Sequence, residues 1–503
     1  MSLSPVQEEI VVTAGNLIVR ASAGTGKTYT MVSKIAQEIH ANKSHKVIAA
    51  ITFTIKAAKE IKDRIAIDVS QHFIGTNNSF AIEEIIKPFL KDVYGRQFHG
   101  DFSTDYSVKI DTFKNGLQKI EKELTLCSYR DTKKNFIFEL AKHIVENSSA
   151  CRLYLQAKYF KIYIDEYQDC DKDMHDFFMY LCDDLEIETF VVGDEKQSIY
   201  MWRGAYPEAF KSIGEKPTFK RIFMGDNYRS CQQIQNYSNL LCEETRCLYR
   251  PVKSIENIIC LFTNSQTWVS DVMKYVDVSE TSALLRYSND NAKNGAVLLT
   301  QQGMECTYIP PLPIADITTE AAWLYLAIAK YIILNQYSVY DLISEIPVEG
   351  ETSKTAISAI SDYLSNIEIS LEKEGVDNFE IAVRNLATYL GYPIQRKHVE
   401  KLYQTIINSE YHVAFQVEKY NHVAITFHSS KGLEFDQVII FAEDYRLSDM
   451  ASICNHYVAV TRAKSKLIIV ATDDYNSKLF LKNIDGLLSE SNLCLNDIAL
   501  LVD

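Results

Sequence analysis

The loop Ala21-Ser22-Ala23-Gly24-Thr25-Gly26-Lys27-Thr28 follows a short apolar run at 17–19 and opens a helical stretch that continues to about His40. Few folds accommodate that order of strand, loop and helix. Backbone N–H groups of such a loop wrap phosphates, Gly24 and Gly26 permit the close approach, Lys27 reaches the β- and γ-phosphates, and the Thr28 hydroxyl ligates Mg²⁺. The expected ligand is therefore a nucleoside triphosphate with Mg²⁺. Ala21 is the one departure, standing where the simple pattern has glycine.

Apolar runs that end in chemically loaded residues recur at 46–53, 160–164, 188–192, 423–427, 437–441 and 467–471, with helical segments between many of them. This alternation predicts parallel α/β sheets with functional groups at the carboxyl ends of the strands. One group of runs lies before about residue 230 and the other mainly after 411, which predicts two lobes. A length of 503 residues with 47% apolar content can fill more than one core. The stretch 338–410 is rich in Leu, Ile, Glu and Lys and lacks strand-end motifs, so it reads as a helical insertion. A shorter helical patch, 114–157, contains the amphipathic segment 136–145 and reads as a small accessory unit. The expected plan is a first lobe from 1–113 and 158–230, a second from 231–337 and 411–503, and two mainly helical insertions. Pro310, Pro311 and Pro313 should interrupt regular structure where they cluster.

A second signal is Ile162-Tyr163-Ile164-Asp165-Glu166-Tyr167-Gln168-Asp169, an apolar strand that delivers acids. Asp165 is placed to hold Mg²⁺, and Glu166 to orient and deprotonate an attacking water. A solvated acidic turn is the plainer reading, but the strand before it and the matching phosphate loop argue for a hydrolytic site.

The acidic segment continues into Val191-Val192-Gly193-Asp194-Glu195-Lys196-Gln197-Ser198-Ile199-Tyr200-Met201-Trp202-Arg203-Gly204-Ala205, and the chain there resembles superfamily 1 DNA helicases of the UvrD/Rep/PcrA type. The same resemblance extends to Ile51-Thr52-Phe53-Thr54-Ile55-Lys56-Ala57-Ala58, Asn227-Tyr228-Arg229-Ser230, Thr426-Phe427-His428-Ser429-Ser430-Lys431-Gly432-Leu433-Glu434-Phe435 and Tyr457-Val458-Ala459-Val460-Thr461-Arg462-Ala463. It covers both lobes, and the family tolerates alanine where Ala21 stands. It implies two RecA-like P-loop NTPase lobes that close on ATP. It also implies roles. Gln7, in Leu3-Ser4-Pro5-Val6-Gln7, would read adenine, for which its amide carries both a donor and an acceptor. Tyr228 would lie flat on the base, and Glu434 would contact the ribose. Arg229 and Arg462 would reach the γ-phosphate as arginine fingers do, and Gln197 would couple that phosphate to the DNA side. Where the family often has an arginine after the phosphate loop, Lys34 offers charge without a planar face.

Single-stranded or partly duplex DNA is the implied partner. Aromatic faces stack on unpaired bases whatever their sequence, so Tyr200, Trp202 and Phe53 are candidate contacts with Thr54, Thr112, Phe113, Arg203 and His428. Lys56, Lys431 and Arg203 would add local positive charge although the formal net charge is −14. A further stretch, 283–292, looks like the AIL-x-R-x-N segment of the second lobe. The resemblance implies 3′ to 5′ movement on one strand, with translocation better supported than processive unwinding because both insertions are short. An alternative is a nucleotide- and DNA-sensing switch subunit of a nuclease complex. The chain ends about forty residues after its last motif, so any nuclease is expected as a separate protein. Compact chains of this size resemble the helicase subunit of the Gabija anti-phage system, which works with such a nuclease. Eleven irregularly spaced cysteines without a C-x-x-C pair and a polar N-terminus fit a reduced, cytoplasmic protein. No membrane span is expected.

Overall fold

The computed structural model describes residues 3–199, 205–206, 208–317, 319–347, 353–372 and 375–503. Tyr200, Trp202 and Arg203, all expected on the nucleic-acid face, lie outside the described residues. The described strands of the sheets are β1 (Leu17–Ala21), β2 (Val47–Thr52), β3 (Phe73–Thr76), β4 (Ser103–Ile110), β5 (Thr125–Tyr129), β6 (Tyr159–Ile164), β7 (Glu188–Gly193), β8 (Lys220–Met224), β9 (Ile258–Phe262), β10 (Ser282–Arg286), β11 (Thr307–Tyr308), β12 (His422–Thr426), β13 (Phe435–Phe441), β14 (Ala463–Ala471) and β15 (Leu500–Val502). They form two all-parallel sheets, one per lobe, ordered β3-β2-β6-β7-β1-β8 and β11-β12-β10-β13-β14-β9-β15. The α/β fold with two parallel-sheet lobes is thus present.

Parallel strands covered on both faces need near-continuous apolar sequence. Strands β2, β6 and β12, for example, are buried at nearly every position. The register then decides what meets at the strand ends. Ile164 pairs with Val191, and Val191 pairs with Ile18, so Asp165 leaves β6 on the same sheet edge from which the phosphate loop leaves β1. In the second sheet Arg286 pairs with Thr426, which puts Tyr287 beside Phe427 at the matching edge.

The helical parts differ from expectation in two ways. Segment 114–157 contains β5, which pairs in parallel with β4, and its helices Phe136–Asn147 and Ser149–Lys158 share one core with Phe80, Ile85 and Leu90 and with Ile164 and Phe177 of the first lobe. The excursion from the sheet therefore opens after β3. The alternation Tyr106-Ser107-Val108-Lys109-Ile110 in β4 is a strand pattern that the sequence reading passed over. In the second lobe the helix Ala322–Ile333 packs with Lys354–Leu371, Val376–Tyr389 and Arg396–Ile407 in a core holding Leu324, Ile328, Leu364, Phe379, Leu386 and Leu402. The helical unit thus begins before Ser338. Its first helix reads AWLYLAIAKYII, apolar nearly all round, as suits burial between neighbours. Residues 309–312, which include Pro310 and Pro311, have no regular structure, as expected.

All eleven cysteines carry free thiols. Among the described residues no helix is long and apolar enough to cross a membrane.

Candidate nucleotide site and nucleic-acid face

Gly26 caps the helix Lys27–Ala41 in the left-handed region at φ +80°, and Gly24 sits at φ +73°. A Cβ on Gly24 would lie 2.4 Å from Asn227 Oδ1 and 2.8 Å from Arg229 Cβ. Glycine is needed here because the 227–229 segment packs directly on the loop. Tyr228 N–H seals that contact by donating to Gly24 O at 2.8 Å. Ala21, Ser22, Ala23 and Thr25 are buried, and Ala21 ends β1 with its methyl in the core, so no glycine is required there. Thr25 Oγ1 donates to Ser22 O at 2.9 Å, bracing the loop from within.

Lys27 Nζ is buried and makes no hydrogen bond; its nearest counter-charge is Glu166 Oε1 at 3.5 Å. A buried ammonium with spare donors is costly unless an anion completes it. A triphosphate would supply the acceptors this ammonium can use, with Thr28 half-buried in the same first turn. Gln7 holds the loop from the other side. Its Nε2 donates to Thr25 O at 3.1 Å, and its Oε1 accepts Ser4 N–H at 2.9 Å. Each end of the amide expected to read adenine therefore already has a protein partner. Lys34 does not reach a base: it is fully buried, donates to Val11 O and Thr13 O, and pairs with Glu38.

Asp165 is 3% exposed at the end of β6, and one of its oxygens accepts Glu166 N–H at 2.8 Å. Burial, and after it the charge of Glu166, pushes Asp165 up to about 7. A divalent cation held by Asp165 and Thr28 would supply the positive charge this carboxyl lacks. Glu166 adopts φ +51°, a left-handed conformation that costs a non-glycine residue about 1–3 kcal/mol and that tends to occur at functional sites. Burial acts to raise its pKa, but the Lys27 and Lys431 ammonium groups prevail and hold it well below the usual carboxylate range. Gln168 Nε2 donates to Glu166 Oε2, while Gln168 Oε1 accepts Asp194 N–H at 3.0 Å.

The segment just after β8, expected in the first lobe but tied to the second through Arg229, Ser230 and Cys231, faces this loop with a cation, and the second lobe adds others. Arg229 pairs with Glu434 at 2.5 Å and donates to Thr461 O at 3.1 Å, and its Nε is buried without a partner. Arg462 is 2% exposed and donates to Val458 O, Leu433 O and Thr461 Oγ1. Burial, then the neighbouring Arg229, brings its guanidinium down to about 10. Arg229 thus packs against Gly24 at the seam, whereas these hydrogen bonds of Arg462 end within the second lobe. Glu434 is engaged with Arg229, and Tyr228 leaves its ring 62% exposed beside the loop. Lys431, expected on the DNA side, instead crosses the seam to Asp169 at 2.7 Å and lies 4.0 Å from Glu166. Gln197 is buried and its Nε2 donates to Asp194 at 2.8 Å, so its amide is held within the first lobe.

Of the expected DNA contacts, Thr54 and Thr112 are exposed helix caps that accept Ala57 N–H and Asn115 N–H. Phe53 is half-buried against the first core. Phe113 packs edge-on against Phe136 with centroids 5.6 Å apart, leaving it partly exposed. His428 stacks on Phe427 with centroids at 3.9 Å. An exposed aromatic that the sequence reading did not single out, Tyr287, lies beside them. It is 56% exposed, 5.7 Å from the Phe427 ring and 6.2 Å from His428. The sequence signal for it was its place within the 283–292 stretch.

Residues 3–137 and 103–218 match the UvrD/REP helicase N-terminal domain, and 421–470 match the UvrD-like helicase C-terminal domain. The chain is 38% identical over 493 residues to the Gabija protein GajB of Bacillus cereus (strain VD045), covering 96% of this chain and 98% of that protein. It is 24% identical to the ATP-dependent DNA helicase PcrA of Staphylococcus epidermidis and 23% identical to that of Staphylococcus aureus (strain Mu50), covering 93% and 92% of this chain and 82% of each relative.

Proposed function

The chain belongs to the UvrD/REP helicase family, and from that premise we propose that it hydrolyses ATP at the seam of its lobes to move 3′ to 5′ along a single DNA strand. ATP use and DNA binding come with the family. The direction, the stepping and the roles of individual residues are our reading. The observation that carries it is the buried Lys27 ammonium, paired with Glu166 at 3.5 Å but without a hydrogen bond, at the loop on which Arg229 packs. Opening and closing of that seam would change the spacing of the DNA contacts, and ATP supplies the differential binding such a shift requires.

The similarity to GajB along nearly the whole of both chains supports a narrower assignment. In it the protein is the helicase subunit of a Gabija-type anti-phage system and acts with a separate nuclease. The test of the motor is ATP hydrolysis by the full chain with and without oligo-dT. Strong stimulation is expected; hydrolysis that ignores the strand would instead assign a nucleotide switch.

Tyr287 and His428, backed by the buried Phe427, would form a stacking platform at the strand ends of the second lobe. Stacking is worth about 1–3 kcal/mol per base, so Tyr287→Ala should raise the half-saturating oligo-dT concentration about five- to a hundredfold. Tyr287→Trp should keep it near wild type. Fluorescence anisotropy reads both, and an alanine variant binding as tightly as wild type removes Tyr287 from the interface.

A further inference from the structure

Tyr457 lies in the second-lobe helix Met450–Val460 and is 1% exposed, yet both partners of its hydroxyl belong to the first lobe. The oxygen accepts Ala23 N–H of the phosphate loop at 3.0 Å, a contact across 434 residues of sequence, and the O–H donates to Asp194 Oδ2 at 3.1 Å. The same Asp194 oxygen accepts Gln197 Nε2. Its other oxygen pairs with Lys196 at 3.2 Å, and Lys196 in turn donates to Ser22 Oγ at 3.1 Å. From the Asp194 backbone the chain of contacts runs through Gln168 to the Glu166 carboxylate.

We propose that Tyr457 is a positioning residue for ATP hydrolysis: its hydroxyl holds the phosphate loop and Asp194 in the geometry that orients Glu166 only while the lobes are closed. The proposal rests on the ATPase reading above. A phenylalanine would fill the same volume and keep the ring beneath Lys196, whose Nζ lies 5.3 Å from the ring centre. Packing alone therefore gives no reason for a hydroxyl. Its two hydrogen bonds do, because both break as the lobes part and a buried N–H and carboxylate oxygen then need other partners. The relay couples cleft closure to the aim of Glu166, and a misaimed base slows the chemistry without weakening the grip on either ligand.

The experiment compares Tyr457→Phe, Asp194→Asn and the double variant in the full chain under saturating oligo-dT. Tyr457→Phe is expected to lower kcat about ten- to a hundredfold. KM for ATP and the half-saturating oligo-dT should stay within about threefold, and the double variant should be no slower than the slower single one. Gln168→Met, which cuts the relay on the first-lobe side, should give the same split and serves if Tyr457→Phe fails to bind oligo-dT at all. The proposal is overturned if Tyr457→Phe, or Gln168→Met in its place, turns over within about twofold of wild type, or if the two single effects multiply in the double variant. A wild type that hydrolyses no ATP sinks the ATPase reading itself and takes this relay with it; normal wild-type hydrolysis with an unaffected Tyr457→Phe sinks the relay alone.

Discussion

Glu166→Gln should lower ATP turnover about a thousandfold, the middle of the range for loss of a general base, while nucleotide and oligo-dT still bind. The glutamine fits the space but carries no charge to accept a proton. The environment is built for an anion: Lys27 at 3.5 Å and Lys431 at 4.0 Å face the carboxylate, and Gln168 donates to it. With the charge gone, Lys431 keeps Asp169 at 2.7 Å, so the seam should still close. That separates chemistry from closure. Steady-state hydrolysis reads the first, and fluorescent nucleotide binding reads the second. A turnover within about tenfold of wild type would show that another group takes the proton.

The second large effect concerns stability and lies beneath the phosphate-loop helix. Glu38 joins two side chains that are almost completely buried, Lys34 at 2.8 Å and Lys161 at 2.9 Å, and it also accepts the Tyr163 hydroxyl. Lys161 has one further counter-charge, Glu188 at 3.3 Å, which is half exposed. Glu38→Met keeps the volume but leaves two ammonium groups inside the lobe with their central acid gone. Breaking a buried pair in this way costs about 3–5 kcal/mol, read as a fall in the urea midpoint of the first-lobe transition. Burial already holds Lys34 below its ordinary value of 10.5, so the unfolded chain binds more protons between the two values. Stability of the variant should therefore recover as pH rises toward 10.5. A loss under about 1 kcal/mol at neutral pH would mean that water reaches these lysines and shields them.

The strand ends were legible in the sequence because parallel strands covered on both faces must be apolar, and the runs read at 46–53, 160–164 and 188–192 correspond to β2, β6 and β7 within a residue or so. The strand β4 was legible in the Tyr-Ser-Val-Lys-Ile alternation but was passed over; its pairing with β5 was not legible, because it depends on the tertiary fold. The helix Ala322–Ile333 was visible as apolar sequence, but its allegiance to the helical unit depends on which core it fills. Lys34 and Lys431 look alike as letters. One is locked under the phosphate-loop helix, and the other crosses the seam to Asp169.

Local chemistry was therefore settled by the chain itself. A phosphate loop needs glycines at positive φ, a lysine and a hydroxyl at fixed spacing, and neighbours in sequence can supply all of them. What faces that loop depended on folding. Tyr457, Lys431 and Arg229 reach it from the far side of a seam, where removal of water turns weak charges and hydroxyls into strong partners, and no spacing along the chain records who meets whom there.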